Sequence, residues 1–211
     1  MRFRWFFLGY LLMFSIPVGE VKILPALGYA LMLYSALRLA KYEKSFDYAK
    51  KILYAALPLG VALLGVEIYL TVSGEGAVSS MRALHTVLSW ADELIEAAIM
   101  FFVYVGVRRM GDKADFPALV KHSSRNMAVM FVYLLTETVI SILYTAAPHL
   151  FENFGIIMLY PFIIGFIWRV MNLWMIFTCF LGIADTAEEE KRERKEREKE
   201  KAKAKERAGR G

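Results

Sequence analysis

Six ionisable residues stand where charge is expensive. Glu67, Asp92, Glu93, Glu96, Glu137 and Arg169 each interrupt an otherwise apolar stretch. An ionised side chain at the centre of a membrane helix costs about 2.5–3.5 kcal/mol on insertion scales, so such residues mark pairing, ion handling or ligand binding. Their depths match. Glu96 lies 12 residues before Arg108 and Glu137 lies 12 residues after Arg125. Asp92 lies 16 before Arg108, Glu67 lies 16 after Lys51, and Arg169 lies 16 before Asp185. At the helical rise these positions form two layers about 6 Å apart, near the middle of a bilayer and slightly outward of it.

Helical phase points the charges towards one another. His85, Ser89, Asp92 and Glu96 fall within about 60° on one helix face. Asn126, Tyr133, Glu137, Ser141 and Tyr144 form a second stripe, and Gly165, Arg169 and Asn172 a third. Stripes of this kind face each other, because polar groups turned to hydrocarbon stay unsatisfied. In the plainest arrangement Arg169 pairs with one or two carboxylates and pins the bundle. Five carboxylates against one guanidinium leave a surplus of acid, which must be protonated, wetted by a cavity or matched by a bound cation. That surplus favours a substrate- or ion-binding site, with Glu67, Asp92, Glu93, Glu96, Glu137, Arg169 and Asn172 as its candidate residues. Of these, Asp92 and Glu93 are the ones that a wet outer vestibule would also solvate.

Other chemistries find less support. Asp92 and Glu96 have the i, i+4 spacing of paired metal ligands, but His85 is two turns from Asp92, about 10 Å, too far for one ion. There is no HExxH and no cysteine pair; Cys179 is the single cysteine and sits in an apolar run. No metal, cofactor, catalytic nucleophile–base pair or phosphate loop is expected, and serines such as Ser89 suit packing or backbone bonding. His122 and His149 are expected in connections on opposite sides of the membrane, away from the cluster.

The elements that must position these residues follow from hydropathy. Of 211 residues, 57% are hydrophobic although the last quarter-hundred are almost all charged, which leaves the remainder too apolar for a soluble domain. A spanning helix needs about 20 mostly apolar residues. The spacing predicts an all-α, polytopic membrane helix bundle of six spans, at about 3–18, 23–40, 52–72, 84–107, 127–147 and 155–184, within a membrane domain of residues 1–186. The first two runs are short and rely on Arg4, Lys22 and Arg38 snorkelling to the surfaces, with a turn at Gly19–Lys22. The basic start and apolar run 5–16 also have the outline of a signal peptide, but residues 15–19 lack the small-residue cleavage pattern, so an uncleaved helix is expected.

Positive charge sets the orientation. Arg2, Arg4, Arg38, Lys41, Lys44, Lys50, Lys51, Arg108, Arg109, Lys113, Lys121 and Arg125 fall on one side of this topology, and only Lys22 and Arg82 on the other. Both ends are therefore expected in the cytoplasm of a multi-pass protein of the cell membrane. The net charge of +5 is explained by this bias, and no nucleic-acid partner is expected. Residues 187–211 form a charged cytoplasmic tail of strong helix formers, with Thr186 and Glu189 spaced as a capping box and no apolar stripe; it is expected as a solvated helix or a disordered segment. A weak inverted-repeat signal pairs Pro58 and Glu67 with Pro161 and Arg169.

Two function classes remain ahead of the rest. The leading one is a small transporter or permease-type component whose partners are the bilayer and a proton or small cationic solute. The alternative is a non-transporting sensor, assembly factor or partner subunit, working with another membrane protein or a second copy through its cytoplasmic loops and tail.

Overall fold

The computed structural model describes residues 3–13, 25–74, 78–146 and 159–182. Among them are six helices and no strand. Helices α1 (Phe3–Met13) and α2 (Pro25–Leu39) are short. Helices α3 (Ser45–Ser73), α4 (Ser79–Lys113), α5 (Pro117–Ala146) and α6 (Leu159–Gly182) are long. The expected turn at 19–22, His149 and the charged tail lie outside the described residues.

Three helices, α3, α5 and α6, are long and apolar enough to cross a membrane. Helix α4 is the longest at 35 residues, but Asp92, Glu93 and Glu96 in its centre dilute its hydropathy. Helices α1 and α2, with 11 and 15 residues described as helix, fall short of a full crossing by length alone.

The long helices run past the apolar stretches. Helix α5 begins at Pro117, ten residues before the apolar run at 127, so His122 lies within a helix and not in a connection. The reason is local. Proline is preorganised for the first helical position, where its missing N–H costs nothing. Ahead of it α4 closes with Asp115 at φ 51°, in the left-handed region that aspartate tolerates, and the Phe116 N–H donates to the Gly111 carbonyl at 2.8 Å. This turn folds α5 directly back along α4, and Leu119 packs on Gly111 where a side chain would crowd it.

Side-chain contacts establish an up-and-down bundle. Gly9 and Gly28 let α1 and α2 approach so closely that a Cβ at Gly9 would lie 2.6 Å from the Gly28 carbonyl oxygen. Phe3 meets Phe46 at the start of α3, and Phe46 lies against Gly106 near the end of α4. At the opposite end Glu67 of α3 faces His85 of α4. Tyr133 of α5 reaches Glu93 of α4, and Arg108 and Ser124 line a common cavity near the other end of that pair. Helix α6 runs parallel to α4, with Arg169 beside Glu96 and Asn172 beside Tyr104, and antiparallel to α1, with Phe7 on Phe177. Each helix thus reverses the direction of the one before it.

The outward surface is apolar. On α5 alone Phe131, Val132, Leu135, Val139 and Ile142 are exposed, and Phe162, Ile163 and Trp174 continue this on α6. Soluble monomers rarely expose apolar patches beyond a few hundred Å², so a surface like this one suits lipid. Inside, Phe6, Met32, Leu53, Met100, Val103 and Met175 are fully buried.

One end of the bundle gathers the basic residues. There Glu43, buried in the 40–44 connection, accepts from Lys113 Nζ at 2.8 Å and Arg109 Nη1 at 3.1 Å, and the same Arg109 nitrogen also reaches Ser45 Oγ at 3.4 Å. The Lys113 hydrogen bond, reinforced by Arg109, holds the Glu43 carboxyl below the usual carboxylate range. A carboxyl whose pKa is depressed by folding contributes stability at pH values above its unfolded pKa of about 4.3 and loses that contribution as pH falls through its lower folded value. Thermal melts should therefore show a Glu43→Gln protein melting about 2–4 °C below the parent at pH 7, with the gap closing as the pH is taken below 4. A gap that persists in acid would assign the loss to packing and not to charge.

Candidate functional site

The site is assembled on the centre of α4, whose inward face turns one polar residue after another to a different neighbour. Nearest the end opposite the basic one, His85 Nε2 lies 3.6 Å from Glu67 Oε1 of α3. Two turns along, Tyr29 of α2 donates its phenol to Asp92 Oδ1 at 2.6 Å. Glu93 Oε1 accepts from Tyr133 of α5 at 3.1 Å and lies 3.9 Å from Arg169 Nη2 of α6. Glu96 follows, and then Tyr104. From residue 85 to residue 104 this ladder extends about 28 Å along the helix axis, close to the thickness of a hydrocarbon core.

Glu96 is the anchor. One oxygen accepts the Tyr10 phenol of α1 at 2.9 Å, and the other accepts Arg169 Nη2 at 3.2 Å and Nε at 3.4 Å. Tyr10 in turn accepts from Asn172 Nδ2 at 2.9 Å, and Asn172 Oδ1 accepts the Tyr104 phenol at 2.6 Å. Trp168 Nε1 donates to the Tyr104 oxygen at 2.7 Å, and Asn126 Nδ2 donates to the Met171 carbonyl at 2.8 Å. Three helices, α1, α4 and α6, are tied into this knot, and α5 joins through Asn126 and through the Tyr133 ring, which stacks on Trp168 at 5.3 Å. The close seat of that ring on α6 needs Gly165, where a Cβ would come within 2.7 Å of it.

The candidate residues divide into two environments. Glu96, Asn172 and Glu67 are buried, whereas the Glu93 side chain is 36% exposed and Arg169 is 30% exposed. Glu137 lies in the middle of α5, half-buried, near enough to Glu93 and Arg169 to feel both charges. It takes no hydrogen bond and no ion pair from any described residue. Arg169 thus bridges a closed compartment around Glu96 and an open one containing Glu93 and Glu137. Glu67 and Asp92 belong to separate pairs, with His85 and Tyr29.

Carboxylates outnumber guanidinium among the candidate residues. The structure supplies a further source of compensation: the phenols of Tyr10, Tyr29 and Tyr133 each donate to one of these carboxylates. Tyr10, Tyr29, Tyr104 and Trp168 carried no signal in the sequence, because aromatic residues are ordinary in membrane helices and their polar tips show only when a partner is known.

Among the described residues no three His, Cys, Asp or Glu side chains are grouped to hold a metal ion. The arrangement can hold a proton, or a small cation that exchanges with one, on its open side, with Arg169 as a fixed counter-charge. No protein family, curated protein or solved structure matches the chain.

Proposed function

We propose that the chain is a six-span protein of the cell membrane, with both termini in the cytoplasm, that works as a small transporter or permease-type component. Its cargo is a proton or a small cationic solute, taken at Glu93 and Glu137. Twelve basic residues at one side against two at the other support the orientation, and the alternating helix directions support the even number of crossings. The observation that carries the site is Glu137, a half-buried carboxylate in the middle of an apolar helix with no hydrogen-bond or ion-pair partner among the described residues. Such a group is costly to maintain unless something binds it, and Arg169, already committed to Glu96, satisfies it only at a distance.

Thermal unfolding in detergent against a panel of inorganic cations and amines, at several pH values, tests this reading. A ligand that binds only the folded protein stabilises it by about 2.7 kcal/mol at a hundred times its dissociation constant, which is about 5–10 °C for a chain of this size. The expected result is a shift in the parent that rises with pH as the carboxylates ionise and disappears in Glu137→Gln. Equal shifts in the two proteins would remove Glu137 from the site.

A second reading, a non-transporting module acting through its cytoplasmic side, draws on the Glu43–Arg109–Lys113 clamp, which fixes the 40–44 connection against α4 as a defined surface. Deletion from residue 187 onward separates the two. Activity lost with the tail while the membrane region stays folded supports the module, and activity that survives supports transport.

A further inference from the structure

At the basic end a cavity of about 210 Å³ opens between α4 and α5, lined by Tyr104, Val105, Arg108, Arg109, Asp112, Ser123, Ser124 and Met127. Its walls change character with depth. Tyr104 lies eight residues from Glu96, about 12 Å along α4, and Arg108 lies twelve residues from it, about 18 Å. The half-thickness of a hydrocarbon core is about 15 Å, so the apolar wall falls inside that boundary and the arginines just outside it. Two polar groups at this level are uncommitted. Arg108 is exposed and makes no hydrogen bond or ion pair with a described residue, and the half-buried Ser124 hydroxyl has no partner there either. Arg109 gives only one guanidinium nitrogen to Glu43 and Ser45. Two guanidinium groups against the single carboxylate of Asp112 leave the mouth positive.

We infer that this cavity is a binding site for the phosphate of an anionic phospholipid, with Arg108 and Ser124 on the phosphate and an acyl chain lying along Val105 and Met127. Basic pockets between membrane helices on the cytoplasmic side suit such headgroups, because the charge sits at headgroup depth while the chain stays in hydrocarbon. The inference rests on the membrane placement proposed above and is independent of the solute site.

The test uses the full chain taken from vesicles of equal parts phosphatidylglycerol and phosphatidylcholine, with retained lipid counted by native mass spectrometry. The parent is expected to retain phosphatidylglycerol about tenfold over phosphatidylcholine. Arg108→Gln should bring the ratio to about parity. Arg125→Gln removes the same charge at an exposed position outside the cavity and should leave the ratio unchanged. Ser124→Ala, which keeps every charge, should lower the ratio about threefold and serves if Arg108→Gln does not fold. Equal losses in Arg108→Gln and Arg125→Gln would reduce the effect to diffuse attraction and overturn the site. Displacement of phosphatidylglycerol by an equal concentration of inorganic phosphate would overturn the lipid assignment in favour of a free anion. Glu137→Gln should retain the parent's lipid ratio, so failure of the transport reading leaves this result readable.

Discussion

Arg169→Met is expected to lower the stability of the bundle by about 3–5 kcal/mol, a fall of roughly 10 °C in melting temperature, the largest effect of any single substitution proposed for this chain. The substitution removes the guanidinium that touches Glu96, whose side chain is 6% exposed, and leaves the carboxylate to the Tyr10 phenol for support. Breaking a buried pair by deleting one partner costs more than the pair contributes, because the remaining charge stays desolvated. The double variant Glu96→Gln with Arg169→Met should therefore recover at least half of the loss, since the introduced carboxamide would keep an oxygen for Tyr10 and carry no charge. Melting of the four proteins of this cycle isolates the coupling. If Arg169→Met melts with the parent, Glu96 is either protonated or hydrated in the folded bundle, and the anchor assigned to it is wrong.

Glu137→Gln is expected to do the opposite: little change in melting temperature and a loss of about 100-fold in uptake by proteoliposomes. Glu137 has no hydrogen bond or ion pair to lose among the described residues, so neutralising it removes no contact from the fold, and Gln preserves its shape. A bound cation or proton has a large stake, because truncating one partner of a desolvated charge pair costs about 2–5 kcal/mol in binding. Tyr133→Phe is the companion variant. It removes the phenol that donates to Glu93 and retains the ring stacked on Trp168, so it should shift the pH dependence of uptake more than its maximum rate. Uptake at the parent's rate in a folded Glu137→Gln protein would place the solute path elsewhere or dispense with it.

The positions of the costly charges were legible in the sequence because the signal is a contrast. A carboxylate stands out against Leu, Val and Phe, and counting residues from a basic flank gives its depth. Arg169 and Glu96 were found this way, and the structure brings them together. What the sequence could not show is how each carboxylate is satisfied. Tyr10 and Tyr29 read as apolar aromatics until the close Gly9–Gly28 approach packs α1 against α2, and the choice of Glu96 and Asp92 as their acceptors depends on contacts from residues 63 and 86 positions away in the chain. His85, too far along its helix to share an ion with Asp92, faces Glu67 across α3 and α4, a partner its spacing did not indicate. Helix ends were misjudged for a different reason. Hydropathy stops at the edge of the lipid, whereas the helix at 117–126 continues because its backbone bonds do not depend on the solvent.

The hydrogen-bond chain beneath Glu96 has a direction, and the direction decides what can travel along it. Donors run one way, from the Trp168 indole through the Tyr104 phenol, the Asn172 amide and the Tyr10 phenol to the carboxylate. Aligned donors polarise one another and deepen the potential well in which the Glu96 charge sits. They also make a poor conductor. An indole N–H only donates, and a carboxamide passes a proton from oxygen to nitrogen only through its high-energy imidic form. A proton that reaches Glu96 therefore has no easy onward step along this chain through Asn172. If the open carboxylates carry protons as proposed, passage along this chain requires the Asn172 link to part.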